Sequence, residues 1–210
     1  MSSIWTLLSR FLSGSRAHDP NTASDIFIAI TTIIGAIIRL RRDLVVLTLP
    51  HLGTVLRQLM GCVRRLRPHL GAKQSALVTD MQPRWLNATD PMGVEAAKAL
   101  SRVLEALATK TVIRSNTINS DTQKAESLAK PFSKHAASVV KAYVEATSHP
   151  LCLIPHDVRK ELQSGLYTLC GMVSDHGRDA LMVSIQDAGG KSTLKTLWKG
   201  YEKQRYVGKG

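Results

Sequence analysis

Gly190-Lys191-Ser192 has the residue types that end a phosphate-cradling loop. That motif needs a further glycine at position 185, on the turn between a strand and a helix, so that backbone amides can surround the phosphates. Ile185 stands there, inside a helical pattern, and the sequence predicts no such loop. His51, His69, His135, His149, His156 and His176 are scattered, with no HExxH pair and no ligand spacing to cysteine. His156 and Asp157 adjoin in sequence, which does not aim them at one site. Cys62, Cys152 and Cys170 are odd in number and far apart, which predicts buried thiols instead of a disulfide framework or a zinc site. No GxSxG elbow precedes a helix. These residues predict no catalytic group, no metal site and no cofactor, and the protein reads as a non-enzyme.

Positive charge is what the sequence offers in quantity. The formal net charge is +12 and the isoelectric point is about 10.0. Such an excess favours a polyanionic partner: RNA, DNA, an acidic protein or an anionic membrane surface. Arg57, Arg64, Arg65 and Arg67 form one candidate binding cluster, extended by Arg39, Arg41 and Arg42. Lys191, Lys195, Lys199 and Lys203 recur every four residues and form a second with Arg205 and Lys209. Arginine can hold phosphate bidentately and lysine acts as a point charge, so both sets suit phosphate contacts that give affinity and salt dependence without sequence reading. Trp198 and Tyr201 fall on the other side of the lysine row, as packing residues.

The elements that must carry these side chains are helical. Hydrophobic residues make up 44% of the 210 residues and aromatic ones only 5%, a mixture suited to helix packing. Period 3.6 recurs throughout and period 2 is nearly absent. The pattern predicts an all-α fold, an irregular array of armadillo- or HEAT-like helix pairs with about seven to eight helices. A single domain is expected over residues 1–210, with 1–23 peripheral and 109–123 a flexible linker.

Apolar stripes locate the helices. Ile4, Trp5, Leu8, Phe11 and Leu12 mark the first. Residues 24–41 are apolar nearly all round and predict a central helix. Asp43 to Arg67 reads as helical with a break near Pro50; Leu52, Leu56, Leu59, Val63 and Leu66 face inward and the arginines outward. Residues 68–91 form a long connection anchored by Trp85 and Leu86, with a short helix around 74–81. Asp90 and Pro91 predict the next helix start, followed by Ala97, Leu100, Val103, Leu104 and Leu107. Phe132, Ala136, Val139, Val140 and Tyr143 mark another helix. Val158, Leu162, Leu166, Leu169 and Val173 follow Pro155. Asp175 and Gly177 predict a turn, Leu181, Met182 and Ile185 a short helix, and Gly189-Gly190 a break. A last helix is expected over 192–206.

The uncharged run Ile26 to Ile38 is too short to span a bilayer, which predicts no membrane insertion. The first seventeen or so residues are serine-rich with Arg10 and Arg16 and lack acids until Asp19, a composition like that of a mitochondrial transit peptide.

One resemblance is carried by particular residues. Gly165-Leu166-Tyr167-Thr168-Leu169, the turn at 175–180, and Leu194-Lys195-Thr196-Leu197-Trp198-Lys199-Gly200-Tyr201 resemble the end of the Unhealthy ribosome biogenesis protein 2 family, also called nucleolar pre-ribosomal-associated protein 2. Leu49-Pro50-His51-Leu52 followed by Leu56-Arg57-Gln58-Leu59 is similar to an earlier helix of the same C-terminal domain. The resemblance runs from about Ile26 onward. It implies a nucleolar, scaffold-like protein of early large-subunit assembly. The partners it implies are pre-ribosomal RNA, nucleolar pre-ribosomal-associated protein 1 and a DEAD-box helicase complex. The family has no assigned catalytic residues, so no site is carried over. Members are usually several times longer, so these 210 residues read as C-terminal-domain-like. The rival expectation from the N-terminal composition is a mitochondrial or general RNA-binding helical protein.

Overall fold

The computed structural model describes residues 2–13, 23–80, 82–83, 85–86, 92–112 and 125–207. The expected start at Asp90-Pro91, most of the 109–123 linker and Lys209 lie outside them. Ten helices run among the described residues: α1 (Ser2–Ser13), α2 (Ala23–Leu40), α3 (Arg42–Val46), α4 (Leu49–Cys62), α5 (Ala72–Thr79), α6 (Val94–Ala108), α7 (Ala129–Ser148), α8 (His156–Met172), α9 (Asp175–Ser184) and α10 (Ala188–Val207). The fold is all-α apart from two minimal antiparallel ladders. One joins β1 (Arg65–Leu66) to β4 (Cys152–Leu153), and the other joins β2 (Thr111–Val112) to β3 (Ala125–Glu126).

The helix count exceeds the seven to eight expected because short segments stand alone. Arg41, at φ −132°, separates α2 from α3. The break near Pro50 falls one turn earlier, at Leu47-Thr48, and Pro50 sits in the first turn of α4, where its missing amide proton is no loss. Gly93 takes the N-cap position of α6, so this helix begins later than Asp90-Pro91 would have it. Gly189 and Gly190 lie within α10 and break nothing. Asp175 and Gly177 belong to the first turn of α9, where the Ser174 hydroxyl accepts the Gly177 amide proton.

The most extensive packing joins α6 to α8, α4 to α7 and α2 to α6. Further contacts place α8 on α7, α1 on α4, and α10 on both α7 and α8. A stack of helix pairs requires neighbours in sequence to be neighbours in space. Here most packed partners are distant in sequence, and the architecture is that of an irregular bundle.

The stripes fill the core. Leu52, Leu56, Leu59 and Val63, all five of α6 and all five of α7 are buried, as are Val158, Leu162, Leu166 and Leu169. Leu66 is only half-buried, because it has left the helix for β1. Trp5 on α1 is fully buried, and its indole N–H donates to the Thr48 hydroxyl at 2.7 Å. Trp85 is also buried; it stacks on Phe11 at 5.9 Å and donates to the Phe11 carbonyl at 3.2 Å.

α2 is not central. Phe27, Ile30, Ile34 and Ile38 are buried and the helix packs on α6, while Ile33 and Leu40 are 48% and 77% exposed. At 18 residues, α2 is long and apolar enough by length and composition to cross a membrane, longer than the uncharged run alone suggests.

Candidate nucleic-acid interface

The arginine cluster divides between two kinds of backbone. Arg57 and Arg64 flank the end of α4, off its apolar face. Arg57 is exposed and donates to the Thr54 hydroxyl at 3.3 Å; Arg64 is half-buried and its Nε donates to the Gly61 carbonyl at 3.0 Å. Sequence periodicity places Arg65 and Arg67 on the same helix, but α4 ends at Cys62. Arg65 pairs with Leu153 across the β1–β4 ladder, and alternation along β1 turns it outward while Leu66 turns inward. The Arg67 amide donates to Leu151 O at 3.0 Å and its Nε to Cys152 O at 3.1 Å.

Arg57 and Arg64 line one cleft of about 530 Å³ between α4 and the end of α7, with Glu145, His149 and Asp187 on its other sides. Its carboxylates have other work. Glu145 pairs with Lys141 at 3.8 Å, and Asp187 accepts the Gly190 amide proton. Desolvation, and after it the Arg64 charge, hold the His149 imidazole at the border of the cleft below its ordinary pKa.

The three arginines expected to extend the cluster have different fates. Arg39 is exposed. Arg41 is exposed but paired with Asp43 at 3.2 Å. Arg42 is 4% exposed and gives its protons to four backbone carbonyls, so it belongs to the core and not to a binding face.

On α10 the amphipathic pattern holds. Leu194, Leu197 and Trp198 are buried, whereas Lys191, Lys195, Lys199, Lys203 and Arg205 are exposed. Gly190 serves the helix start. A Cβ there would sit 2.7 Å from Ile185 Cγ2 and 2.8 Å from Asp187 Oδ1. Its amide proton is taken by Asp187, so the Gly190-Lys191-Ser192 triplet is a capped helix turn and cradles nothing. Trp198 packs under Arg178, whose guanidinium lies 6.0 Å from the ring centroid and 3.8 Å from Glu202. Lys195 and Lys199 edge this small depression.

The two clusters adjoin at Asp187. This residue lines the arginine cleft, and its carbonyl accepts the Lys191 amide proton at 3.1 Å, one turn into α10. Among the described residues, none of Arg57, Arg64, Arg65, Arg67, Lys191, Lys195, Lys199, Lys203 or Arg205 is in an ion pair. No three histidine, cysteine or carboxylate side chains gather as a metal site among the described residues.

A second cleft is not anticipated by the sequence. It measures about 580 Å³ between α7, α8 and α10, and its lining includes His156, Arg159, Lys160, Gln163, Ser192 and Thr196. Arg159 and Lys160 lie between the stripe residues Val158 and Leu162, and a reading of the cations on that helix, apart from its acids, would have found them.

The C-terminal residues that carry the family resemblance meet in space. Gly165 lies against α6, where a Cβ would sit 2.9 Å from the Ser101 backbone. Gly200 leaves room for the Tyr167 phenol, and the Tyr167 and Tyr201 rings lie 6.3 Å apart. Trp198 meets Tyr201 edge-on at 6.1 Å. The sequence model of the Urb2/Npa2 family matches residues 1–209. No curated protein and no solved structure matches the sequence. A match over nearly the whole length means that the protein belongs to the Urb2/Npa2 family, a family of ribosome biogenesis.

Proposed function

We propose that the protein is a non-catalytic scaffold of early large-subunit assembly, acting in the nucleolus and holding pre-ribosomal RNA through its basic helical faces. One observation carries this reading. Among the described residues, nine cations free of ion pairs extend from the α4–α7 cleft through β1 and its flanks and along α10, on elements held by a shared core. Cations without carboxylate partners are free to displace counterions from a polyanion, and that release drives binding that weakens as salt rises. Rigid presentation lowers the entropy lost on association. Family membership supplies the setting, and the resemblance to nucleolar pre-ribosomal-associated protein 2 supplies the expected company of nucleolar pre-ribosomal-associated protein 1 and a DEAD-box helicase.

Charge reversal of Lys191, Lys195 and Lys199 to Glu tests the proposal. RNA affinity should fall and the log–log salt slope should become shallower by about two, since each phosphate contact on a single strand contributes about 0.7. Circular dichroism should be unchanged, because all three side chains are exposed. Unchanged affinity would remove α10 from the interface. A tagged protein that collects in mitochondria instead of nucleoli would overturn the setting.

A further inference from the structure

We infer that the cleft between α7, α8 and α10 is a separate site for the sugar–phosphate backbone of single-stranded RNA; this rests on the RNA-binding reading but uses none of its residues. The cleft is lined by His156, Arg159 and Lys160 from α8, by Ser192, Thr193 and Thr196 from α10, and by Tyr143 and Thr147 from α7. Among the described residues, no carboxylate lines it. Asp157 and Glu161 share the helix with these cations but are not in the wall, and Glu161 bears instead on Lys98 of α6. Among the described residues, Arg159 and Lys160 are in no ion pair.

The hydroxyls divide by what they can still do. Thr147 and Thr196 donate to the carbonyls of Tyr143 and Ser192, each at 2.9 Å; Thr147 also meets the Tyr143 phenol, so the Thr196 oxygen is the acceptor left for a ligand. A backbone phosphodiester has no proton to give it at neutral pH, but a ribose 2′-hydroxyl does. The guanidinium of Arg159 and the ammonium of Lys160 are the matching phosphate donors. The cleft of about 580 Å³ therefore pairs cations for phosphate with an acceptor for ribose. A phosphopeptide would meet the same cations but brings no ribose 2′-hydroxyl, so the comparison of RNA with DNA and with the peptide separates the ligands.

The test uses all 210 residues, a uridine-rich single-stranded RNA, DNA of the same sequence, inorganic phosphate and a phosphoserine peptide. Arg159→Gln with Lys160→Gln should weaken RNA binding about tenfold and lower the salt slope by about 1.4, two phosphate contacts at about 0.7 each. Ser192→Asp, on a different helix, should reproduce the loss. Thr196→Val should narrow the preference for RNA over DNA while sparing the DNA affinity. Should the Arg159/Lys160 and Ser192 variants keep parental affinity while the α10 lysine variant loses it, this site is rejected and the proposed function stands. A parent protein that binds no RNA rejects both. Tighter binding of the phosphopeptide than of RNA rejects the ligand assigned here.

Discussion

The amide of Gly165 on α8 donates a proton to the Ser101 hydroxyl on α6 at 2.9 Å, and both groups are buried. This hydrogen bond lies within the most extensive helix pairing of the molecule. Any Cβ at position 165 would stand 2.9 Å from Ser101 Cα and from the Ser101 carbonyl oxygen. Backbone cannot swing aside, so Gly165→Ala must push α8 from α6 and should cost about 2 to 3 kcal/mol in urea denaturation. Ser101→Ala removes this hydrogen bond and the long one that the hydroxyl donates to Glu105 at 3.4 Å, without crowding, and should cost about 1 kcal/mol. Gly200→Ala makes the informative contrast. Its obstacle is the Tyr167 phenol, the end of a half-buried side chain that can rotate, and its cost should be the smaller of the two glycine substitutions.

Arg42 is a second fastening that no apolar count would reveal. Its guanidinium donates to Ile38 O at 3.2 Å, to Ala106 O at 3.3 Å, to Thr109 O at 2.6 Å and to Glu126 O. It thereby ties the end of α2 and the end of α6 to β3. Burial lowers its pKa, yet a guanidinium stays charged, and the carbonyl ends of two helices favour that charge. Arg42→Met would leave these acceptors without donors, and we expect a loss of about 3 kcal/mol. Arg42→Lys keeps the charge but not the planar fork, so its stability should fall between the two. Equal stability of all three proteins would show that water serves the carbonyls as well as arginine does.

Legibility in the sequence tracks locality. The stripes of α6 and α7 are readable because one face of a helix is a local pattern, repeated at every third or fourth residue. The end of α4 is not. Val63 and Leu66 continue the helical period, but Arg65-Leu66 is drawn off to pair with Cys152-Leu153, a partner far along the sequence. Gly189-Gly190 looks like a break because the Asp187 cap and the nearby Ile185 that favour glycine there are visible only in three dimensions. The candidate interface divides in the same way. The lysine row on α10 is a local pattern and is legible. Arg159 and Lys160 are hidden because Asp157 and Glu161 flank them, so the segment has no charge run; the helix then turns cations and acids to different sides. Arg39, Arg41 and Arg42 form such a run, yet the structure exposes one, pairs another and buries the third.

His69 is the one non-glycine residue with positive φ among the described residues, at 68°. It is exposed and follows Pro68 in the turn after β1. The left-handed region costs an ordinary residue about 1 to 2 kcal/mol, and glycine escapes that cost but loses more freedom on folding. His69→Gly should therefore stabilise the protein by a net of about 0.5 kcal/mol, read as a rise in the urea midpoint with unchanged slope. His69→Ala keeps the strain and should not gain. A loss with glycine would mean that the imidazole makes a stabilising contact that outweighs the backbone term.

The cysteines give the fold a readable response to alkaline pH. Cys62 and Cys170 are 1% exposed, and burial pushes each thiol up to about 12; burial likewise raises Cys152. An unfolded-state thiol ionises near about 8.5. A folded pKa above the unfolded one means that the native state holds the proton longer. The stabilisation is complete below about pH 8.5 and is lost as pH climbs toward about 12, because only the unfolded state gains by ionising. Between those limits each such thiol should contribute a fall of about 1.4 kcal/mol per pH unit. Cys62→Ala with Cys170→Ala costs packing at every pH, but it should flatten this alkaline slope relative to the parent, which separates the thiols from lysine and tyrosine titration. A thiol-specific reagent at about pH 8, just below the ordinary thiol pKa, should label the native protein only as fast as it opens, and all three cysteines at once in urea. Rapid labelling of Cys62 or Cys170 in native buffer would show that the α4–α7 and α8 packing opens far more often than a closed core allows.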